Sequence, residues 1–83
     1  MKLNVLYFAW VRERIGIASE SVETQAGSIN ELIDELCARE ERYAAAFSDR
    51  SVLRAAIDQT LVPFEATLTD ATEVAFFPPM TGG

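Results

Sequence analysis

The stretch from Ser28 to Cys37 restricts the fold more than any other part of the chain. Ser28 is followed three residues on by Glu31, the S-x-x-E pattern in which a hydroxyl and a carboxylate satisfy free N–H groups at a helix start. Behind it, Ile29, Leu32, Ile33, Leu36 and Cys37 recur at helical period and form one apolar stripe. Glu31, Asp34, Glu35, Arg39, Glu40 and Glu41 occupy the remaining faces. The spacing predicts a helix from Ser28 to about Tyr43, with Ala44 to Phe47 extending it or packing the turn after it. The other apolar segments are short, so this stripe has to be buried against a sheet.

The strands are read from composition and breakers. "KLNVLYFAW" is rich in β-branched and aromatic residues and predicts a first strand buried on much of both faces. "VRERIG" offers a turn of helix or a loop that stops at Gly16. "ASESVETQ" predicts an exposed second strand at a sheet edge, ended by Ala26-Gly27. After the helix, "SDRS" reads as a loop and "VLRAAID" as a third strand with Leu53, Ala55 and Ile57 on one face. "QTLVPF" holds a short strand that Pro63 limits to an edge or an end. "TLTDAT" reads as a turn before "EVAFF", in which Val74 and Phe76 share one face while Ala75 and Phe77 share the other. Pro78 and Pro79 then stop ladder pairing. The order β, β, α, β, short β, β predicts a two-layer α+β domain with a mixed sheet of about five strands on one main helix. One helix covers one sheet face, so the other face is solvated or serves as a binding surface.

Composition removes several function classes. The 83 residues suffice for one domain with a single modest core, burying about 60–65% of the unfolded surface. Thirteen acidic against seven basic side chains leave a net charge of -6, which disfavours nucleic acid and anionic membrane as partners. The chain has no histidine, which removes Ser-His-Asp and Cys-His nucleophiles and most zinc sites. The lone Cys37 cannot form an internal disulfide and lies on the apolar stripe, so it reads as a small buried hydrophobe in a cytoplasmic protein. "MKLNVLYFAWV" is too short to span a bilayer and lacks a cleavage site, so no export signal is expected. Glu31, Asp34 and Glu35 read as a solvated helix face, with no metal site. A Gly-rich phosphate loop is absent from the sequence.

The end of the chain, "FFPPMTGG", is more specific. With glycine at about 7% of residues, a Gly-Gly terminus arises by chance in about one chain in 200. Pro78 and Pro79 favour an extended exit from the sheet. Thr81, Gly82 and Gly83 are slim enough to thread a narrow channel, and the Gly83 carboxylate has no Cβ to shield it. A carboxylate is a poor electrophile until it is activated, for instance as an acyl-adenylate. The tail therefore reads as a handle for carboxyl activation by a separate ATP-using enzyme.

"EVAFFPPMTGG" resembles the C-terminal signature of the small subunits of molybdopterin synthase. "LYFAWVRERIG" is similar to that family's first strand with its Arg-Glu turn, and "AAIDQTLV" to its third strand. The likeness runs through essentially the whole chain in the same order. It implies a ubiquitin-like β-grasp domain over residues 1–77, an extended tail over 78–83, and a sulfur-carrier role. An E1-like adenylating enzyme would use ATP to turn Gly83 into a transient acyl-adenylate, and a sulfur donor system would convert it to a thiocarboxylate. The tail residues Pro78, Pro79, Met80, Thr81, Gly82 and Gly83 would then enter the large subunit of molybdopterin synthase. There the sulfur would pass to a cyclic pyranopterin phosphate to build the molybdopterin dithiolene. The catalytic side chains would belong to the large subunit, and this chain would bind no cofactor. The resemblance also implies docking through an apolar patch, and the alternation above puts Phe8, Leu61 and Phe77 on the sheet face away from the helix. A heterotetramer with the small subunits outermost is the implied assembly.

The chain departs from the family pattern at two places. "TLTDATEV" lacks the glycine common in that turn, and "AIDQ" carries Asp58 where the family often has asparagine. Sulfur carriers that feed thiamine or tRNA thiolation also end in Gly-Gly, but the aromatic-proline lead-in favours the molybdenum branch. A ubiquitin-like modifier would share the activation step. With Lys2 as the only lysine, building chains on itself is nearly excluded. A plain interaction module would tolerate replacement of Gly83, whereas the carriers and the modifier would not.

Overall fold

Leu3, Val5 and Tyr7 of the first strand are buried while Lys2 and Asn4 are exposed, so the strand alternates rather than burying both faces. The structure, a computed structural model, describes residues 1–79. Its elements are β1 (Lys2–Tyr7), α1 (Ala9–Ile15), β2 (Ser19–Glu23), α2 (Ile29–Arg39), α3 (Glu41–Ala46), a 3-10 turn (Arg50–Val52), β3 (Arg54–Ile57), β4 (Thr60–Val62) and β5 (Glu73–Phe77). The sheet order is β2-β1-β5-β3-β4. β1 and β5 pair in parallel at the centre, and the remaining pairs are antiparallel. This is the mixed-sheet β-grasp architecture, α+β, with α2 as the main helix.

One core lies between the sheet and the helices. The stripe Ile29, Leu32, Ile33 and Leu36 is fully buried against Leu3, Val5, Val22, Ala55, Val74 and Phe76. At the start of α2, the Ser28 Oγ accepts from the Glu31 N–H at 3.2 Å. The Glu31 carboxylate reaches one residue beyond the cap, accepting from the Gly27 N–H at 3.2 Å. The next two free donors, the N–H groups of Ile29 and Asn30, donate to the carbonyls of Ala66 and Phe64. The segment after β4 is thereby tied to the helix start.

The predicted helix to Tyr43 is interrupted. Glu40 is extended (φ -151°, ψ 151°) and separates α2 from α3. Continuing the stripe from Leu36 by four residues would bring the Glu40 carboxylate into the core; the break leaves it exposed. It also turns Tyr43, Ala46 and Phe47 inward. The Glu20 carboxylate accepts from the hydroxyls of both Tyr7, at 2.8 Å, and Tyr43, joining β2, β1 and α3. Burial and the hydrogen bond to this carboxylate push both phenols up from their ordinary values.

β1 also ends earlier than the sequence suggests, at Tyr7, and the chain enters α1 through Ala9 at φ 52°. Gly16, left-handed at φ 97°, closes α1, and the Arg42 guanidinium donates to the free Ile15 carbonyl at 2.8 Å. β3 and β4 are joined by Asp58 and Gln59, with φ 47° and 72°, the positive pair that a type I′ hairpin turn requires.

Candidate functional site

With every helix on one side, the second face of the sheet is uncovered. Its composition follows from the strand registers. Leu6 lies opposite Ala75, Ala75 opposite Ala56, and Ala56 opposite Leu61. These four form a row across β1, β5, β3 and β4, pointing away from the core that Val5, Val74, Phe76 and Ala55 enter. Phe77 pairs with Arg54 one row further along. Phe8 extends β1 beside it, because its backbone is extended and its N–H donates to the Phe76 carbonyl at 3.1 Å.

The result is an apolar area of Leu6, Phe8, Ala56, Leu61, Ala75 and Phe77 at one end of the uncovered face. Leu61 is 65% exposed and Phe8 48%, whereas Ala56 and Ala75 are each 8% exposed. The centre of the patch is thus a floor of small side chains beside projecting Leu61 and Phe8. At the other end of the same face, the registers place Ser21, Asn4 and Glu73 in one row and Glu23 beside Lys2 in the next. The face is therefore apolar at one end and polar at the other.

The chain leaves from the apolar end. β5 is paired on both sides, its last pair being Phe77 with Arg54, and the half-buried Pro78 and Pro79 follow directly. Proline has no N–H to continue the ladder, so the sheet ends there. Of the residues expected to form the site, Phe8, Leu61 and Phe77 come together on this face, and Pro78 and Pro79 adjoin it. Met80, Thr81, Gly82 and Gly83 lie outside the described residues. Ala75 shares this face with Phe77 as the alternation of β5 predicts, while Leu6, Ala56 and Arg54 also belong to the surface and were not expected. The alternation of β1 contained the signal for Leu6, two residues before Phe8. Ala56 is too small to stand out in a sequence pattern.

Glu31, Asp34 and Glu35 have structural partners elsewhere in the fold. Glu31 caps α2, Asp34 pairs with Arg50 at 2.6 Å, and the Thr24 hydroxyl donates to Glu35 at 2.8 Å. Cys37 is half-buried against the core, and burial pushes its thiol up. The Asp58 Oδ1 accepts from the Thr72 hydroxyl at 2.7 Å and from the N–H groups of Thr72 and Glu73 at 3.2 and 2.9 Å. The Thr72 hydroxyl, with those two N–H groups, holds the Asp58 carboxyl below its ordinary value. An acceptor is what this position supplies, and an amide oxygen could supply it equally. In the glycine-free turn before β5, Asp70 takes the left-handed conformation itself, at φ 60°.

A family model described as the ThiS family matches residues 5–83. The chain is 44% identical to the molybdopterin synthase sulfur carrier subunit of Escherichia coli, over 98% of this chain and 99% of that one. It is 38% identical to the subunit of the same name from Haemophilus influenzae, with the same coverage. Among solved structures, it superimposes on SAMP1 from Haloferax volcanii with a TM-score of 0.74, at 17% identity and over the full length of both chains. At that identity the match speaks for the fold alone.

Proposed function

The chain belongs to the ThiS family, and from that membership we infer that it is the sulfur carrier subunit of a molybdopterin synthase. The observation that carries this reading is 44% identity to a molybdopterin synthase sulfur carrier subunit over 98% of the chain, with the family match running to residue 83. The fold is consistent with a carrier. What this chain offers is an apolar docking face and a strand that delivers its end beside it.

In the proposed cycle, the Gly83 carboxylate attacks the α-phosphate of ATP in an E1-like enzyme, giving the acyl-adenylate and pyrophosphate. A donor system that delivers sulfur at the sulfide level displaces AMP, forming the C–S bond as the C–O bond to AMP breaks, and leaves a thiocarboxylate. The large synthase subunit then docks on the face formed by Phe8, Leu61 and Phe77 with Leu6, Ala56 and Ala75. The tail of residues 78–83 enters its active site, where the sulfur bonds to a cyclic pyranopterin phosphate and water cleaves the glycyl C–S bond, which regenerates the Gly83 carboxylate. Tethering the sulfur to a docked protein raises its local concentration at the acceptor. The expected assembly is a cytoplasmic heterotetramer with two copies of each subunit.

High-resolution mass spectrometry of the C-terminal fragment tests the reading, using protein from cells with an intact sulfur pathway. Replacement of one terminal oxygen by sulfur is expected, distinguished by accurate mass and alkylation from oxidation of Met80. A tail still unmodified after incubation with ATP, an adenylating enzyme and a sulfur donor would overturn it.

A further inference from the structure

Arg54 is the one charged side chain, among the described residues, that the registers place in the apolar half of the uncovered face. The charges on the other half, Lys2, Glu23 and Glu73, fall in the rows furthest from the exit. Arg54 is exposed, pairs across the ladder with Phe77, and sits one residue before Ala55 and two before the Ala56 floor. One of its guanidinium nitrogens donates to the neighbouring Leu53 carbonyl at 2.8 Å, which holds the group close to the sheet. Neither salt bridge among the described residues involves Arg54, so none of their carboxylates pairs with its positive charge.

A lone arginine of this kind is costly to cover. An apolar partner surface closing over Phe77, Ala56 and Leu61 would strip water from the guanidinium and leave it unpaired. A carboxylate opposite it would turn that cost into a charge-assisted and, with arginine, bidentate contact. The chain as a whole carries a net charge of -6, so long-range attraction favours a basic partner. At this one point next to the exit, the local sign is reversed.

We propose that Arg54 is a specificity-determining residue of the docking face, pairing with a carboxylate that the large synthase subunit presents beside its apolar contact area. The proposal rests on the docking reading above and adds the chemistry by which the right partner is recognised. It predicts a partner surface of mixed character: basic around its rim, apolar at its centre, and acidic at the point that meets Arg54 where the tail enters.

The test is the affinity of the large subunit for the intact chain and for Arg54→Met, Arg54→Glu and Leu61→Ala, each at low and high salt. Thermal unfolding of each variant guards against misfolding, and the exposure of both residues favours intact folds. Arg54→Glu is expected to weaken binding by about ten-fold or more at low salt, and Arg54→Met by less. The difference between these two variants should shrink at high salt, as screening removes the like-charge repulsion. Equal affinity for the intact chain and Arg54→Glu, with Leu61→Ala weakened, would overturn the proposal and leave the docking face standing. Equal affinity for all four chains would remove the docking face as well, and with it the basis of the proposal.

Discussion

Leu61 gives the sharpest separation of docking from folding. It is 65% exposed on the short edge strand β4, so the folded chain gains little from its side chain. Full burial of a leucine side chain stabilises by about 1.5–3 kcal/mol. If the partner covers the exposed part of Leu61, Leu61→Ala forfeits about 1–2 kcal/mol of docking, or about 5- to 30-fold in Kd. The same change should alter the stability of the free chain by less than about 0.5 kcal/mol. Leu53→Ala is the internal contrast: Leu53 is 1% exposed, and its removal should cost about 2–5 kcal/mol of stability. Calorimetric titration with the large subunit and urea unfolding of the free chains give the two quantities. Unchanged affinity for Leu61→Ala would refute the face as the docking surface. A stability loss as large as that of Leu53→Ala would refute the placement of Leu61 outside the core.

Three further outcomes follow from the fold. Tyr43→Phe removes one of the two hydroxyls on the Glu20 carboxylate and should cost about 1.5–3 kcal/mol in urea unfolding; a loss under about 0.5 kcal/mol would mean the contact is not formed in solution. Ala9 occupies φ 52°, where a Cβ is strained, so Ala9→Gly should be neutral or stabilise by up to about 1 kcal/mol while Ala9→Val destabilises, and thermal unfolding in the reverse order would contradict the geometry. Asp58, held below its ordinary value, contributes stability that is fully present above the unfolded value of about 3.9 and is lost as pH falls through the lower folded value. Asp58→Asn keeps an acceptor for Thr72 and Glu73, so its urea midpoint should drop less between pH 6 and pH 3 than that of the parent chain, and equal drops would exclude Asp58 as a contributor.

What the sequence discloses depends on whether a feature is periodic. The stripe through Leu36 and the alternation of β5 repeat along the chain, the Ser28 cap is a local motif beside the stripe it starts, and each stands in the structure as the spacing predicts. The alternation of β5 alone placed Phe77 opposite in face to Phe76. The break at Glu40 is not periodic. Helix propensity favours continuing through Glu40 and Glu41, and the break comes from a tertiary demand that Tyr43 and Phe47 face inward without burying a carboxylate. The Glu20 link to Tyr7 and Tyr43 joins residues 13 and 23 positions apart and has no local signature. Arg54 became noticeable only through its cross-strand partner, since a register is a relation between two strands and neither sequence states it alone.

The uncovered face also explains why the exit belongs to β5 and not to an edge. An edge strand has one set of ladder bonds and opens readily, so a reactive end attached to it would wander. β5 is paired with β1 on one side and β3 on the other, and its Val74 and Phe76 are fully buried. Phe76 stacks on Tyr7 and meets Phe47 edge-on, with ring centroids 6.3 and 5.0 Å away. Opening β5 would therefore break the core rather than fray a margin. Anchoring the exit there fixes where Pro78 starts relative to Phe8 and Phe77, and the prolines carry that direction outward without any partner in the sheet. In the proposed docking, a partner seated on the patch would meet Pro78 and Pro79 beside it. Shortening that spacer by deleting Pro79 should leave docking affinity intact while lowering sulfur transfer. Equal loss of both would mean that the prolines act in binding and not in delivery.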